Sequence, residues 1–201
     1  MEGQEISAIV LAGGGSTRMG QNKALLKLGK KTMIERVVDS LRPVFKDIIL
    51  VTNHPEDYPM MEGVEFVKDK KNHKRKNSLV GVYSGLLSIQ NSRAFVVPCD
   101  MPFLNQGLIR HMIKQVGDED ILVPYTGGHY QPLHAIYATT CIKAMEEALG
   151  EQDYRLTAFL KRVNTRTIGD ETINMFSSDL KCFLNINTYD SYLDIKDNWE
   201  C

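Results

Sequence analysis

Short runs of apolar and β-branched residues recur along the chain and predict the strands of one sheet. The runs occupy residues 6–11, 48–52, 64–67, 94–98, 121–124 and 134–137. Each run is almost continuously apolar, which is typical of strands that are covered on both faces. The pattern therefore predicts a buried, mainly parallel sheet that needs helices on each side.

Apolar stripes at helical spacing lie between these runs and predict the covering helices. The stripes comprise Met33, Ile34, Val37, Val38 and Leu41, then Leu79, Val82, Leu86 and Leu87, then Leu108, Ile109, Met112, Ile113 and Val116, and two later segments at 142–149 and 156–163. Pro43 should end the first helix after Arg42, and Ser78 should cap the second.

The order of strands and helices predicts an α/β fold of the doubly wound, Rossmann-like type, with three α/β/α layers. No internal repeat or Ser/Gly-rich linker interrupts this order, so residues 1–201 are expected to form a single domain. In such a sheet, ligands bind outside the carboxyl ends of the strands. Residues that directly follow a strand are therefore the first candidates for a functional role.

Charge and hydropathy exclude several classes of partner. Lys and Arg together number 24 and Asp and Glu 25, so no overall field attracts nucleic acid or an anionic membrane. The apolar runs are much shorter than the roughly 20 residues of a membrane span, and no basic stretch precedes a long apolar one at the start. We expect a cytoplasmic protein that binds neither nucleic acid nor membrane.

The cysteines and histidines show no metal-binding or redox pattern. Cys99, Cys141, Cys182 and Cys201 contain no C-x-x-C pair, and the five histidines contain no H-E-x-x-H motif. Reduced thiols, and structural or surface histidines, are the expectation.

A glycine-rich loop follows the first strand and reads LAGGGSTRMGQNK over residues 11–23. Three successive glycines allow several N–H groups to converge on a phosphate, and Arg18 and Lys23 add positive charge. The glycines alone would fit an ordinary turn. The spacing excludes a Walker A loop, because Gln21 and Asn22 follow Gly20, and it excludes a dinucleotide fingerprint, because Arg18 stands where a glycine is needed.

Polar side chains follow three other strands. Asp100 comes after the strand at 94–98, where a carboxylate can hold Mg²⁺, although it could instead cap the following helix. Asn53 and Asp69 follow the second and third strands and should border the same cleft. The alternatives are an Asx turn before Pro55 for Asn53 and a solvated loop position for Asp69.

Three later motifs narrow the interpretation of the glycine-rich loop to one family. They are CDMPFL at 99–104, YQPLHAIY at 130–137 and NINT at 185–188. These motifs resemble those of the molybdenum cofactor guanylyltransferases in the MobA-like nucleotidyltransferase family, from Ile6 to about Tyr192. The resemblance implies transfer of GMP from GTP to molybdopterin, with Mg²⁺ as cofactor and pyrophosphate as leaving group. A molybdoenzyme or cofactor-delivery protein would be a further partner.

The resemblance also implies roles for individual residues. Arg18, Lys23 and Asp100 would neutralise charge during transfer, with Asp100 as the metal ligand. Asn185 and Asn187 would lie near the acceptor, and Arg155 would help to hold its phosphate. The residues expected to contact the nucleotide are Leu11, Ala12, Gly13, Gly14, Lys23, Asn53, Asp69 and Asp100.

The sequence departs from the family pattern at two places. Asn22 replaces the usual Asp before Lys23, and Asn77-Ser78 replaces a Gly-Pro turn.

Six Lys or Arg residues between positions 68 and 76 form either a solvated loop or a lid that attracts a polyanion. The alternative functions are a cytidylyltransferase acting on a pterin or isoprenoid phosphate and a non-catalytic nucleotide-binding adaptor. A sugar-phosphate transferase fits this chain length less well.

Overall fold

The structure is a computed structural model that describes residues 6–13, 22–70 and 77–197. The strands are β1 (Ser7–Leu11), β2 (Lys27–Leu28), β3 (Lys31–Thr32), β4 (Ile48–Val51), β5 (Val64–Val67), β6 (Arg93–Pro98), β7 (Ile121–Thr126), β8 (His129–Tyr130), β9 (Ala135–Ala138) and β10 (Thr165–Ile168). The α-helices are α1 (Met33–Leu41), α2 (Ser78–Leu86), α3 (Gln106–Gln115), α4 (Cys141–Gly150), α5 (Leu156–Phe159), α6 (Asp170–Asn174) and α7 (Tyr189–Asp197). Short 3₁₀ helices occupy Lys23–Leu25, Pro55–Asp57 and Lys181–Phe183.

One mixed sheet forms the centre of the described part of the chain, with strand order β10-β7-β9-β6-β1-β4-β5 and β8 paired to β7. β1 is parallel to β4 and β6, β5 is parallel to β4, and β10 is parallel to β7. β9 is antiparallel to both β6 and β7. The α/β fold with a mainly parallel sheet is confirmed, with β9 as the reversed central strand. The carboxyl ends of β1, β4, β5, β6 and β7 therefore lie at one edge.

The two faces of the sheet bury separate apolar clusters, which gives the three layers. In β1, Ala8 and Val10 belong to the cluster on the α1 and α3 side, whereas Ile9 and Leu11 belong to the cluster on the α2 and α4 side. All four side chains are almost completely buried. This alternation explains why the strand is continuously apolar.

Two glycines of helix α2 face β1 and leave no space for a side chain between the helix and the strand. A Cβ atom at Gly85 would lie 2.7 Å from Cγ2 of Ile9, and one at Gly81 would lie 3.2 Å from Cδ2 of Leu11. Neither distance leaves room for a larger residue without movement of a neighbour. The close packing fixes the first turn of α2 beside the carboxyl end of β1.

Two predicted helix ends are wrong. Asn77, not Ser78, caps α2: Asn77 has extended backbone, and its side-chain oxygen accepts a hydrogen bond from the Val80 amide at 3.0 Å. Ser78 is already the first helical residue. The helix predicted at 156–163 ends at Phe159, and Thr165 donates from its hydroxyl to the Leu160 carbonyl at 2.7 Å as the chain turns into β10.

None of the helices in the described residues has the length and hydropathy that crossing a membrane requires. Cys99, Cys141 and Cys182 are free thiols, as expected, and Cys201 lies outside the described residues.

Candidate active site

A cleft opens where β1, β4 and β5 end beside the first turn of α2. It is lined by Leu11, Gly13, Val51, Thr52, Asn53, Asp69, Asn77, Ser78 and Gly81. Four of these positions, Leu11, Gly13, Asn53 and Asp69, are residues that the resemblance assigns to the nucleotide. Ala12 is buried between Leu11 and Gly13, whereas Gly14 and Arg18 lie outside the described residues.

Backbone hydrogen bonds continue the sheet one residue past the strands and position the lining. The Ala12 amide donates to the Val51 carbonyl at 2.9 Å, and the Thr52 amide donates to the Val67 carbonyl at 2.8 Å. The Tyr58 hydroxyl donates to the Ala12 carbonyl at 2.9 Å. These bonds hold the start of the glycine-rich loop. The sequence patterns did not single out Tyr58.

Asn53 and Asp69 contact each other directly across the ends of β4 and β5. Nδ2 of Asn53 donates to Oδ2 of Asp69 at 2.6 Å, and the Asp69 amide donates to Oδ1 of Asn53 at 3.1 Å. The proposed Asx turn is absent, because the local bond is made by Thr52, whose hydroxyl accepts from the His54 amide at 3.2 Å. Asp69 is half-buried, so it is not simply a solvated loop residue.

Asp100 follows β6 and places a carboxylate oxygen in a buried position. Oδ1 of Asp100 is inaccessible to solvent and has no hydrogen-bond partner among the described residues. Burial raises the pKa of this carboxyl group, and the nearby Lys23 ammonium partly offsets the rise. The alternative role as a helix cap is wrong, because Asn105 caps α3 with its side-chain oxygen 3.0 Å from the Leu108 amide.

The surroundings of Asp100 fit a divalent cation that also binds phosphates. An unpaired buried carboxylate oxygen is costly unless it is protonated or bound to a cation. Within residues 6–13, 22–70 and 77–197, no cluster of three His, Cys, Asp or Glu residues could form an all-protein metal cage. Mg²⁺ typically takes only one or two carboxylates and completes its shell with water and phosphate oxygens. The single carboxylate of Asp100 is therefore a suitable protein ligand for Mg²⁺.

Lys23 reaches the same region from the first 3₁₀ helix. Asn22 caps that helix, with Oδ1 accepting from the Ala24 amide at 3.2 Å. The departure from Asp at this position therefore keeps the capping role without the charge. Nζ of Lys23 donates to the backbone carbonyl of Asn187. Lys23 thereby connects the glycine-rich loop to the C-terminal segment.

The segment 185–187 lies next to Asp100. The Ile186 amide donates to the Asp100 carbonyl at 3.0 Å, and Ile186 is buried in the cluster that contains Leu28 and Met33. Asn185 is half-buried and Asn187 is exposed. Neither caps the last helix, since Thr188 accepts from the Ser191 amide at 3.1 Å.

Arg155 forms its ion pair with a near neighbour in the chain rather than with these groups. Its side chain is 79% exposed and pairs with Asp153 at 3.3 Å. Lys68 and Lys70 of the basic run are exposed, and positions 71–76 lie outside the described residues. The structure thus brings together Lys23, Asp100 and residues 185–187, with the cleft of Asn53 and Asp69 alongside.

This arrangement combines a polar cleft with a local cation and an unpaired carboxylate. The cleft supplies amide and carboxylate groups that can pair with a base or ribose. Lys23 supplies a positive charge beside Asp100 at the end of β6. Such a site can bind a nucleoside polyphosphate along the sheet edge and stabilise charge that develops on its phosphates.

Comparisons with known proteins agree with this geometry. A family profile described as the MobA-like NTP transferase domain matches residues 8–167. A relative from Natranaerobius thermophilus, named "Probable molybdenum cofactor guanylyltransferase", is 37% identical, with 91% of each chain covered. A molybdenum cofactor guanylyltransferase from Desulfosudis oleivorans is 36% identical, and the match covers 91% of this chain and 90% of that protein.

Solved structures share the fold over nearly the whole chain. Molybdopterin-guanine dinucleotide biosynthesis protein A from Archaeoglobus fulgidus superposes with a TM-score of 0.81 at 25% identity, covering 97% of this chain and 99% of that one. The 2-C-methyl-D-erythritol 4-phosphate cytidylyltransferase from Thermus thermophilus superposes with a TM-score of 0.72 at 13% identity, covering 98% and 100%. Because the family profile spans most of the chain and the relatives match nearly all of it, the chain belongs to the MobA-like NTP transferase family.

Proposed function

We propose that this nucleotidyltransferase transfers GMP from GTP to the phosphate of molybdopterin in a Mg²⁺-dependent reaction. The products are the molybdopterin guanine dinucleotide cofactor and pyrophosphate. The observation that carries the proposal is the buried, unpaired Oδ1 of Asp100 close to Lys23, beside a cleft lined by Asn53 and Asp69. The names of the relatives supply the substrates, GTP and molybdopterin.

The nucleoside occupies the cleft at the ends of β4 and β5. Oδ2 of Asp69 accepts from Asn53, which leaves Oδ1 to accept from the N1–H and exocyclic amine of guanine. Asn53 fixes the carboxylate in this orientation, so little side-chain entropy is lost when the base binds. Leu11 and Gly81 form an apolar wall of the cleft.

The triphosphate extends from the cleft toward Lys23 and Asp100. In this position Lys23, together with Arg18 of the glycine-rich loop, offsets negative charge on the phosphate oxygens. Asp100 would hold Mg²⁺, and the bound ion would supply further positive charge near the phosphates. The protein mainly positions and neutralises the reactants, as is general for transfer at phosphorus.

The acceptor oxygen attacks the α-phosphorus in line with the bond that breaks. A new P–O bond joins GMP to the acceptor phosphate, and the bond from the α-phosphorus to the bridging oxygen breaks, so that pyrophosphate leaves with its electron pair. The acceptor phosphate is already ionised near neutral pH. No side chain therefore has to remove a proton from it.

A cytidylyltransferase is the alternative within the same fold. The purified protein should be incubated with molybdopterin, Mg²⁺ and either GTP or CTP, and pyrophosphate release should be measured. The proposal expects release with GTP that depends on both molybdopterin and Mg²⁺. Release with CTP alone, or GTP binding without any turnover, would instead favour the cytidylyltransferase or the non-catalytic adaptor.

A further inference from the structure

Two tyrosine rings contact each other, with their planes tilted by 60°, on an exposed hairpin at the carboxyl end of β7. Tyr125 and Tyr130 are paired across β7 and β8, and their ring centroids are 4.9 Å apart. They are 39% and 37% exposed, so much of the ring surface contacts solvent. Gly127 and Gly128 form the turn with φ of 56° and 80°, a conformation that favours glycine and a tight hairpin. Backbone pairing therefore holds the two rings in place.

This hairpin lies at the same edge of the sheet as Asp100. β6 and β7 run in the same direction, since β9 is antiparallel to both. The register pairs Val96 with Ala135 and Ile136 with Leu122. With one strand between them, β6 and β7 are roughly 10 Å apart. The tyrosines thus flank Asp100 on the side opposite to the nucleotide cleft.

The hairpin also begins on the face of the sheet that carries the cleft. Ile121 and Val123 of β7 pack in the same apolar cluster as Leu11 and Val51, which line the cleft. Side chains two apart on a strand point to the same face. Tyr125, two residues after Val123, therefore continues that face toward the edge.

We propose that Tyr125 and Tyr130 form an aromatic ledge that stacks against the flat heterocycle of the phosphorylated acceptor. This inference rests on the proposed function, which places the base in the cleft and the α-phosphate near Asp100. The acceptor must then approach from the other side of Asp100, where the ledge lies. Because the two ring planes are tilted by 60°, one ring can stack face to face on a pterin while the other contacts the pterin edge, and such contacts tolerate a polar heterocycle.

Binding of a fluorescent oxidised pterin that carries a side-chain phosphate tests the ledge without any need for turnover. The probe should be titrated into wild-type protein, a Tyr125→Ala/Tyr130→Ala variant and a Tyr125→Phe/Tyr130→Phe control that keeps both rings. We expect the double alanine variant to bind about tenfold to a hundredfold more weakly and the phenylalanine control to stay within about threefold of wild type. Circular dichroism should show that all three proteins are folded.

Steady-state kinetics with GTP and molybdopterin then separate the aromatic ledge from the proposed guanylyl transfer as hypotheses. The ledge predicts that the alanine variant raises the KM for molybdopterin while the KM for GTP is unchanged. If wild type binds the probe no better than the alanine variant, the ledge is wrong even if guanylyl transfer occurs. If wild type binds the probe in a ring-dependent way but releases no pyrophosphate from GTP, the ledge stands as a heterocycle site and the proposed function is wrong.

Discussion

Asn53 and Asp69, which are 16 residues apart, exchange two hydrogen bonds and act as one unit at the edge of the cleft. The amide of Asn53 uses both its donor and its acceptor on Asp69. The pair therefore presents the second carboxylate oxygen in a fixed direction. The account assigns selection of guanine to this pair rather than to either residue alone.

Replacement of either residue should weaken GTP binding by a similar factor. Asp69→Ala removes the acceptor, and Asn53→Ala releases the carboxylate from its fixed orientation, so each should raise the KM for GTP about tenfold to a hundredfold. In a double-mutant cycle, the combined variant should lose little more than the worse single variant. Glu65→Ala, which removes an exposed carboxylate from β5, is the matched control and should bind GTP normally. Additive losses from the two substitutions would contradict the assignment.

The ionised carboxylate of Asp100 should lower the free energy of unfolding near neutral pH, although the same group supports catalysis. Its pKa is raised by burial, so the folded protein binds a proton at this carboxyl more tightly than the unfolded chain does. The stability that protonation provides is present below the unfolded pKa and is lost as the pH rises through the folded pKa. Near neutral pH the ionised carboxylate is therefore a cost that Asp100→Asn removes.

The Asp100→Asn variant should unfold at a higher temperature than wild type in the absence of divalent cations. Its turnover should be at least about a hundredfold lower, because a charge-stabilising group is gone. Mg²⁺ with GTP should raise the Tm of wild type and have a smaller effect on the variant. Differential scanning fluorimetry with and without Mg²⁺ and chelator measures the stability effects, and pyrophosphate release measures the turnover. A variant that is less stable than wild type in chelator would refute the burial argument.

The two glycines of α2 should respond differently to alanine. Alanine is favoured over glycine in a helix by about 1 kcal/mol, but a Cβ at Gly85 would lie 2.7 Å from the branched Cγ2 of the fully buried Ile9. Overpacking typically costs about 1–3 kcal/mol, so Gly85→Ala should be destabilised.

Gly81→Ala should keep near wild-type stability, because the Cβ would meet the flexible end of Leu11 at 3.2 Å. Movement of Leu11 would narrow the cleft and raise the KM for GTP. Urea unfolding and GTP kinetics on both variants check this contrast. Equal loss of stability in the two variants would show that the spacing between α2 and β1 is not set as described.

His134 should make folding sensitive to acid. The imidazole is fully buried between the rings of Phe95 and Phe183, with centroid distances of 5.0 and 4.9 Å. Neither of its nitrogens has a partner among the residues that the structure describes. Burial lowers the pKa of His134 to about 3.

Because the unfolded chain binds this proton near pH 6.5, the free energy of unfolding should fall as the pH drops from 6.5 toward 3. The expected loss approaches about 2 kcal/mol between pH 7 and pH 5. His134→Leu should remove this contribution and leave a shallower dependence. Urea unfolding of both proteins at the two pH values is the measurement, and parallel profiles would contradict the prediction.

The sequence pattern was sufficient for the buried strands but not for the edges of the fold. β1, β4 and β6 are apolar apart from Ser7 and Arg93 at their first positions, because both faces of the sheet are covered, so their positions could be predicted. β10 contains Thr165, Arg166 and Thr167 and is exposed along one side, which gives it no apolar run to recognise. The reversal of β9 depends on the tight Gly127-Gly128 turn, which brings the chain back toward β6.

Residues of the candidate site could be predicted where they directly follow a strand. The residues to which they form hydrogen bonds could not be predicted. Asn53, Asp69 and Asp100 could be selected because parallel strands end at one edge. The bond between Asn53 and Asp69 depends on β4 and β5 being neighbours, which residue spacing alone does not fix. Tyr58 acts on the glycine-rich loop from 46 residues away, and no local pattern marks it.

The central claim is that Lys23 and Asp100 together stabilise charge during guanylyl transfer, and turnover of two variants tests it most directly. Pyrophosphate release from GTP and molybdopterin with Mg²⁺ should be compared for wild type, Lys23→Ala and Asp100→Ala, with Glu65→Ala as control. The account predicts that the control turns over like wild type and that each site variant is slower by at least about a hundredfold. Wild-type turnover in either site variant would contradict it.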